Sequence, residues 1–196
     1  MLKTINRNLL NMTNPRIALI HATPLAVQPV AEAFKQLWTQ ARLVNFLDDS
    51  LAPDLAEAGS LNATMVTRFI GLAQYAKTYG ANGILFTCSA FSPSSISMRE
   101  ELLTAIRLRG LDVQVDGACA EGAMAIYNAG DAATHDRMIF DSARALAACD
   151  VVVLGQFSMA RAQKGVADVV GKPVLTSPES AVRRLKAVLE STSTQG

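Results

Sequence analysis

At three places in this chain a short apolar run is followed by Ser or Thr and then Pro: Thr23-Pro24, Ser92-Pro93 and Ser177-Pro178. A hydroxyl at a helix N-cap accepts a hydrogen bond from a free amide of the first turn. Proline at the next position has its φ already set for a helix and lacks an N–H that would go unpaired. Each junction therefore reads as a strand running straight into a helix. A fourth apolar run, Val151 to Leu154, ends in Gly155-Gln156-Phe157-Ser158 and leads into a helix over about 160–170. Strand followed by helix throughout implies parallel pairing through right-handed crossovers. The fold class expected is α/β, with about six parallel strands and flanking helices. The carboxyl ends of such strands gather on one side, where ligands bind.

The remaining elements fit this frame. Arg16 to His21 is the first strand. A helix follows with Val27, Val30, Ala31, Phe34, Leu37 and Trp38 at helical spacing. Arg42 to Leu47 is a strand, and Asp48-Asp49-Ser50 after it reads as a solvated turn or as acids reaching a ligand. The helix from about Ala63 to Tyr79 has Met65, Val66, Phe69, Ile70, Ala73 and Ala76 as its buried stripe. Ile84 to Phe86 and Val151 to Leu154 are expected to be buried strands. Ser97 to Arg109 reads as a helix and Leu111 to Val115 as an exposed or edge strand. A helix over 133–148 buries Met138, Ala145 and Leu146, and the final helix runs to about Glu190. The domain reading is a disordered tail over 1–14, an α/β lobe over 15–92, a second over 93–190 and a tail over 191–196. The last helix has the option of packing back on the first lobe.

Composition narrows the function classes. The 196 residues are half hydrophobic and carry a formal net charge of +1, which gives no electrostatic footprint for nucleic acid or an acidic membrane. The uncharged stretch from Thr78 to Met98 contains two glycines, Pro93 and several serines, so it would cross a bilayer badly. Three cysteines without a CxxC and two distant histidines favour neither a disulfide framework nor a zinc site. No GxGxxG, GxxxxGK[ST] or GxSxG is present, so no dinucleotide, P-loop or hydrolase-elbow reading has support. The expectation is a cytoplasmic protein with no cofactor, metal, nucleic-acid or membrane partner.

The chemistry concentrates where the third strand ends, at Thr87-Cys88-Ser89. A thiol in a loop before a helix start is favoured as thiolate by the helix dipole and free backbone amides. Cys88 is the candidate nucleophile or proton-transfer base; a small buried hydrophobe is the competing reading. His21, at the end of the first strand, is a possible Cys88 partner in space. The strand-end loops offer hydroxyl, amide and backbone donors but no Lys or Arg. Such a cleft suits a small carboxylate. The candidate binding residues are Thr23, Thr87, Ser89, Gln156, Ser158 and Ser177. His135 reads as a surface residue rather than a catalyst.

Two stretches carry a resemblance: Ile84-Leu85-Phe86-Thr87-Cys88-Ser89, and the run from His135-Asp136 through Asp150 to Ala160 and on to Pro173–Pro178. They resemble the aspartate/glutamate/hydantoin racemase superfamily, which includes arylmalonate decarboxylase. The resemblance covers most of Arg16 to Leu189. It implies two similar Rossmann-like lobes around a cleft, and one cysteine from each lobe on opposite faces of a small carboxylic acid. It also implies cofactor-free proton transfer at the α-carbon, a carboxylate-binding role for Ser89 and assembly as a homo-oligomer. Two departures stand out. Gln156 occupies the place of the second cysteine, which leaves one-thiol decarboxylation or a non-catalytic carboxylate-binding remnant open beside racemisation. Between Ser92 and Arg99 the chain lacks the helices and strands that the family has there, so the second lobe is expected to be truncated.

Overall fold

The structure is a computed structural model and describes residues 14–87, 108, 110 and 113–194. The chain is mixed α/β, with short parallel sheets flanked by helices, and divides into two compact units. The first comprises the N-terminal part of the chain and, from Pro178 on, the last helix; the second comprises the part between them.

The first unit is built on β1 (Arg16–His21), β2 (Arg42–Leu47) and β3 (Gly83–Phe86), all parallel in the order β2-β1-β3. β1 is the central strand, and from Ile17 to His21 its residues have no exposed surface. This is why its sequence is continuously apolar instead of alternating. Thr23 caps the 3-10 turn Pro24–Ala26, its Oγ1 accepting from Leu25 N at 3.4 Å, and the turn leads into α1 (Val27–Leu37). α1 buries Val30, Ala33 and Phe34, and Trp38 stacks on Phe34 with ring centres 5.9 Å apart. After β2 come α2 (Leu51–Ala58) and α3 (Ala63–Thr78), the latter capped by Asn62, whose side chain accepts from Met65 N. Arg68 on α3 donates twice to Asp48 from Nη2, at 2.6 and 2.7 Å, and at 2.5 Å to Asp54. It thereby ties the end of β2 and the α2 helix to α3.

The glycine that opens β3 is a packing requirement. A Cβ on Gly83 would stand 3.1 Å from Leu189, 3.2 Å from Ile17 and 3.3 Å from Leu185. Two of those three side chains come from the last helix. Deletion of the side chain at one strand position therefore lets a helix far away in sequence sit close against the sheet.

The second unit comprises α4 (Ala123–Asn128), α5 (Ala132–Ala143), β4 (Val152–Leu154), α6 (Gln163–Val170) and β5 (Val174–Thr176), with 3-10 segments at Arg144–Leu146 and Phe157–Ala162. β4 and β5 pair in parallel, Val152 opposite Val174 and Leu154 opposite Thr176. The core is Ile139, Ala143, Val152, Leu154, Ala162, Val166, Val170 and Val174. Asp131 caps α5 by accepting from Thr134 N at 2.9 Å, and Gln163 on α6 donates to Val174 O at 2.9 Å. The last helix, α7, spans Ser177–Thr194.

Several expectations are corrected. The described strands number five, in sheets of three and two, against the six expected in sequence. The fourth strand is buried on one face only: Val153 is 56% exposed while Val152 and Leu154 are buried. On α3, Met65, Phe69 and Ala76 are buried, but Val66 and Ile70 lie on the exposed side. α5 fully buries His135, Ile139 and Ala143; of the three expected, Met138 is half-buried, Leu146 packs half-buried against the core, and Ala145 is exposed. The buried stripe advances by fours, and Ala145, two positions past Ala143, falls on the opposite face. Residues 113–115 form no strand, and α7 extends four residues beyond Glu190 into the expected tail. The expected helix over 97–109 and the start of the strand at Leu111 lie outside the described residues, apart from Leu108. Among the described residues no helix is long and apolar enough to cross a membrane.

The tightest helix contact in the second unit is at Gly165, where an added Cβ would lie 2.3 Å from the Phe140 ring. Gly165→Ala gains about 1 kcal/mol of helix propensity but forces the ring aside, at a cost of about 1–3 kcal/mol. The expected outcome is net destabilisation, read as a lower urea midpoint with an unchanged slope.

Candidate functional site

At the carboxyl end of the first sheet, three side chains from three strands meet. His21 is the last residue of β1, Asn45 lies on β2, and Thr87 directly follows β3. The backbone ladder continues one residue past each flanking strand, with Thr87 N donating to Ile20 O at 3.0 Å and Asp48 N to His21 O at 3.1 Å. His21 Nδ1 is 2.6 Å from Thr87 Oγ1, and Nε2 is 2.9 Å from Asn45 Oδ1. Each ring nitrogen thus has one side-chain partner, and the neutral ring donates through one nitrogen and accepts through the other. His21 and Thr87 are buried, whereas Asn45 on the edge strand is exposed.

The chain Thr87–His21–Asn45 has the connectivity of a nucleophile, a base and an orienting group. Burial of both the hydroxyl and the ring gives it a different use, as a cross-strand lock. Both ring nitrogens have partners on neighbouring strands. Burial lowers the His21 pKa from its ordinary value, with the Asn45 hydrogen bond opposing it. Cys88 itself, and Ser89, lie outside the described residues.

The other expected binding residues divide sharply. Thr23 accepts from Leu25 N as a cap, and Thr87 is bonded to His21. Ser177 lies within the first turn of α7 instead of ahead of it, and its hydroxyl reaches the carbonyls of Leu154 and Gly155, both at 2.9 Å. This ties β5 to the end of β4. Gln156 is half-buried and makes no cap bond to the following 3-10 turn. Ser158, in that turn, is 6% exposed, and its hydroxyl has no hydrogen-bond partner among the described residues. A buried hydroxyl left unpaired costs about 1–3 kcal/mol, so Ser158 is the group here that most needs an acceptor from elsewhere.

His135 is buried, contrary to its expected surface position. Its Nδ1 is 2.9 Å from Asp136 Oδ1, and its ring stacks on Tyr127 with centres 4.5 Å apart. Arg161 donates from Nε to both Asp136 oxygens at 3.0 and 2.9 Å and sits over the Tyr127 ring. The cluster is internally satisfied and joins α4, α5 and the turn after β4. Asp48 likewise is held by Arg68 and Ser50, and their hydrogen bonds lower its pKa against the opposing effect of burial.

Sequence reasoning missed Asn45, Arg68, Tyr127 and Arg161. Each is an ordinary solvent-facing type at an ordinary spacing. Their roles arise from partners that the fold brings to them across 8 to 34 residues of chain. No family model, curated protein or solved structure matches the chain.

Two measurements check this geometry. Because the folded state holds His21 neutral, its contribution to stability is complete above about pH 6.5 and is lost as pH falls toward the lowered folded value. Wild type is expected to lose stability more steeply than His21→Asn between pH 7 and 5 in urea titrations. Ser158→Ala removes an unpaired group and is expected to raise the unfolding free energy of the free protein by about 1 kcal/mol. A loss of that size would show that the hydroxyl is satisfied in solution.

Proposed function

We propose that this chain is a cofactor-independent enzyme of the racemase/isomerase type, related to the aspartate/glutamate/hydantoin racemases. In this reading it acts on a small carboxylic acid, with Cys88 transferring the proton at the α-carbon. The observation that carries the reading is where Cys88 stands in the chain. It follows a threonine whose backbone and hydroxyl are both bonded into the central strand, at the carboxyl end of a parallel sheet. That is the edge at which α/β sheets bind ligands.

The chemistry requires a thiolate to remove the proton beside a carboxylate, leaving negative charge shared between the α-carbon and the carboxylate oxygens. The charge is costly unless hydrogen-bond donors are already aimed at it. The candidate donors that the sequence supplies are neutral: the Ser89 and Ser158 hydroxyls, the Gln156 amide and backbone N–H groups. The unpaired Ser158 hydroxyl supports a carboxylate ligand, since an ionised oxygen would give it the acceptor it lacks.

Gln156 in place of a second cysteine favours a one-thiol version of the reaction. A carboxamide does not deliver a proton at neutral pH, so return to the opposite face of the α-carbon has no acid there. In decarboxylation of a malonate-type acid, the carbon–carbon bond breaks, carbon dioxide leaves with the carboxyl carbon, and the electron pair stays on the α-carbon. The Cys88 thiol then supplies the one proton needed.

Incubation with amino acids and an arylmalonic acid in deuterated water, followed by NMR, tests both versions. Deuterium at the α-carbon is expected with wild type, and Cys88→Ala is expected to slow its appearance about 10²–10⁴-fold, the usual worth of a positioned acid or base. No incorporation, or equal incorporation in the variant, overturns the enzymatic reading. Thermal stabilisation by a carboxylate that is never turned over would make the chain a binding protein instead.

A further inference from the structure

We propose that the groove between α3 and the outer edge of β3 is a docking site for an extended, apolar segment of another protein that carries a carboxylate at one end. The chemistry proposed for Cys88 plays no part in it.

The two edges of the first sheet differ. β2, at one edge, carries Arg42 and Asn45, both exposed. Polar and charged residues of this kind keep an edge strand from pairing with a foreign chain. β3, at the other edge, reads Gly-Ile-Leu-Phe, with no charge and no proline. It pairs with β1 on one side, and among the described residues no strand pairs with it on the other. Phe86 is 45% exposed. Such an edge offers main-chain donors and acceptors in a row, the template for strand addition.

α3 covers its face of the sheet unevenly. Over β2, Tyr75 and Tyr79 stand edge-on to Phe46, with ring centres 5.6 and 6.1 Å away. On the β3 side a groove of about 380 Å³ remains, formed by Ile70, Ala73, Gln74 and Lys77 of α3 against residues 81–84. Ile70 is 50% exposed. Side chains along a strand alternate between faces. Every second residue of a strand added beside β3 would therefore enter the groove against Ile70 and Ala73.

Charge selects the occupant. Lys77 is the one charged residue lining the groove, and among the described residues no carboxylate pairs with it. α3 contains no acidic residue from Ala63 to Thr78, so the ammonium is not balanced along its own helix. Lys77 lies in the last turn of α3, at the end of the groove where the chain enters β3. A carboxylate at that end of an added strand meets the ammonium, while apolar side chains fill the rest. A second copy of this chain supplies no such group, because its β3 and α3 hold no acid either.

The experiment follows fluorescence anisotropy of labelled, end-blocked peptides titrated with the full-length protein. Each has a four-residue core of alternating valine and threonine, flanked at both ends by glutamate, glutamine or lysine. The glutamate peptide is expected to bind about two- to fivefold more tightly than the glutamine peptide, the usual worth of an exposed ion pair, and the lysine peptide least. Lys77→Gln is expected to abolish that difference and Lys77→Glu to reverse the order. Ile70→Asp is expected to weaken all three peptides about tenfold or more. Both side chains are exposed, so thermal midpoints of the variants are expected to match wild type. No binding of the glutamate peptide at millimolar protein, an unchanged order in Lys77→Gln, or full binding by Ile70→Asp overturns the proposal. Sedimentation of the unliganded protein as a dimer that Ile70→Asp splits puts a second copy in the groove and overturns it as well. Octanoate displacing the glutamate peptide at lower concentration than the unlabelled peptide itself makes the groove a small-acid site, which also overturns strand addition.

Discussion

β1 is closed to solvent from Ile17 to His21, and that closure dictates what its last residue must do. The first four residues meet it with aliphatic side chains. The fifth is an imidazole, and a charged ring at that depth would lose its hydration without a counter-charge. The ring therefore stays neutral, and each nitrogen needs a partner of the right polarity. Those partners come from the strands on either side: Asn45 from β2 and Thr87 from the end of β3. Only a central strand has a neighbour on both flanks. The strand order β2-β1-β3 and the hydrogen bonding of one side chain are thus the same constraint seen at two scales.

The same reasoning sorts the hydroxyls at the strand ends. A polar side chain placed there is available to a ligand only if the fold has not already used it. Thr23 closes a helix start, Thr87 closes the histidine lock, and Ser177 closes two carbonyls at the end of β4. Ser158 is buried with no partner among the described residues. Local structure therefore separates residues that the sequence groups together as small hydroxyl types in equivalent loops. The scaffold needs the first three for its own satisfaction, and the fourth is a standing cost unless something else satisfies it.

The parts of the fold legible in the sequence are those with local causes. Thr23 and Asn62 cap helices because the cap is written within three residues of the position it serves. Arg16 to His21 reads as a strand from its apolar run, but Ile84 to Phe86, expected to be buried as well, is a flanking strand with Phe86 45% exposed. What escaped has distant causes. The buried face of α5 is set by what packs on it, so His135 is taken inside with Ile139 and Ala143 on one stripe. Arg68 looks like any solvated arginine on a helix until Asp48 and Asp54 are brought to it from 20 and 14 residues away. Asn45 is exposed on an edge strand, which is where asparagine needs no explanation, and its side chain nevertheless bonds a buried ring. At the strand ends, the sequence had no means of telling engaged hydroxyls from free ones.

β4 and β5 bury Val152, Leu154, Val174 and Thr176, yet Val153 and Leu175, on the other face, are 56% and 47% exposed. Parallel strands are almost always covered on both faces, because the crossovers that make them parallel supply a layer on each side. Among the described residues, the crossover from β4 to β5 through α6 covers one face, with Val166 and Val170 in the core. The period-two burial along these strands is therefore set by which face the helix covers, whereas β1, with no exposed surface from Ile17 to His21, shows the continuous apolar run of a strand enclosed on both faces.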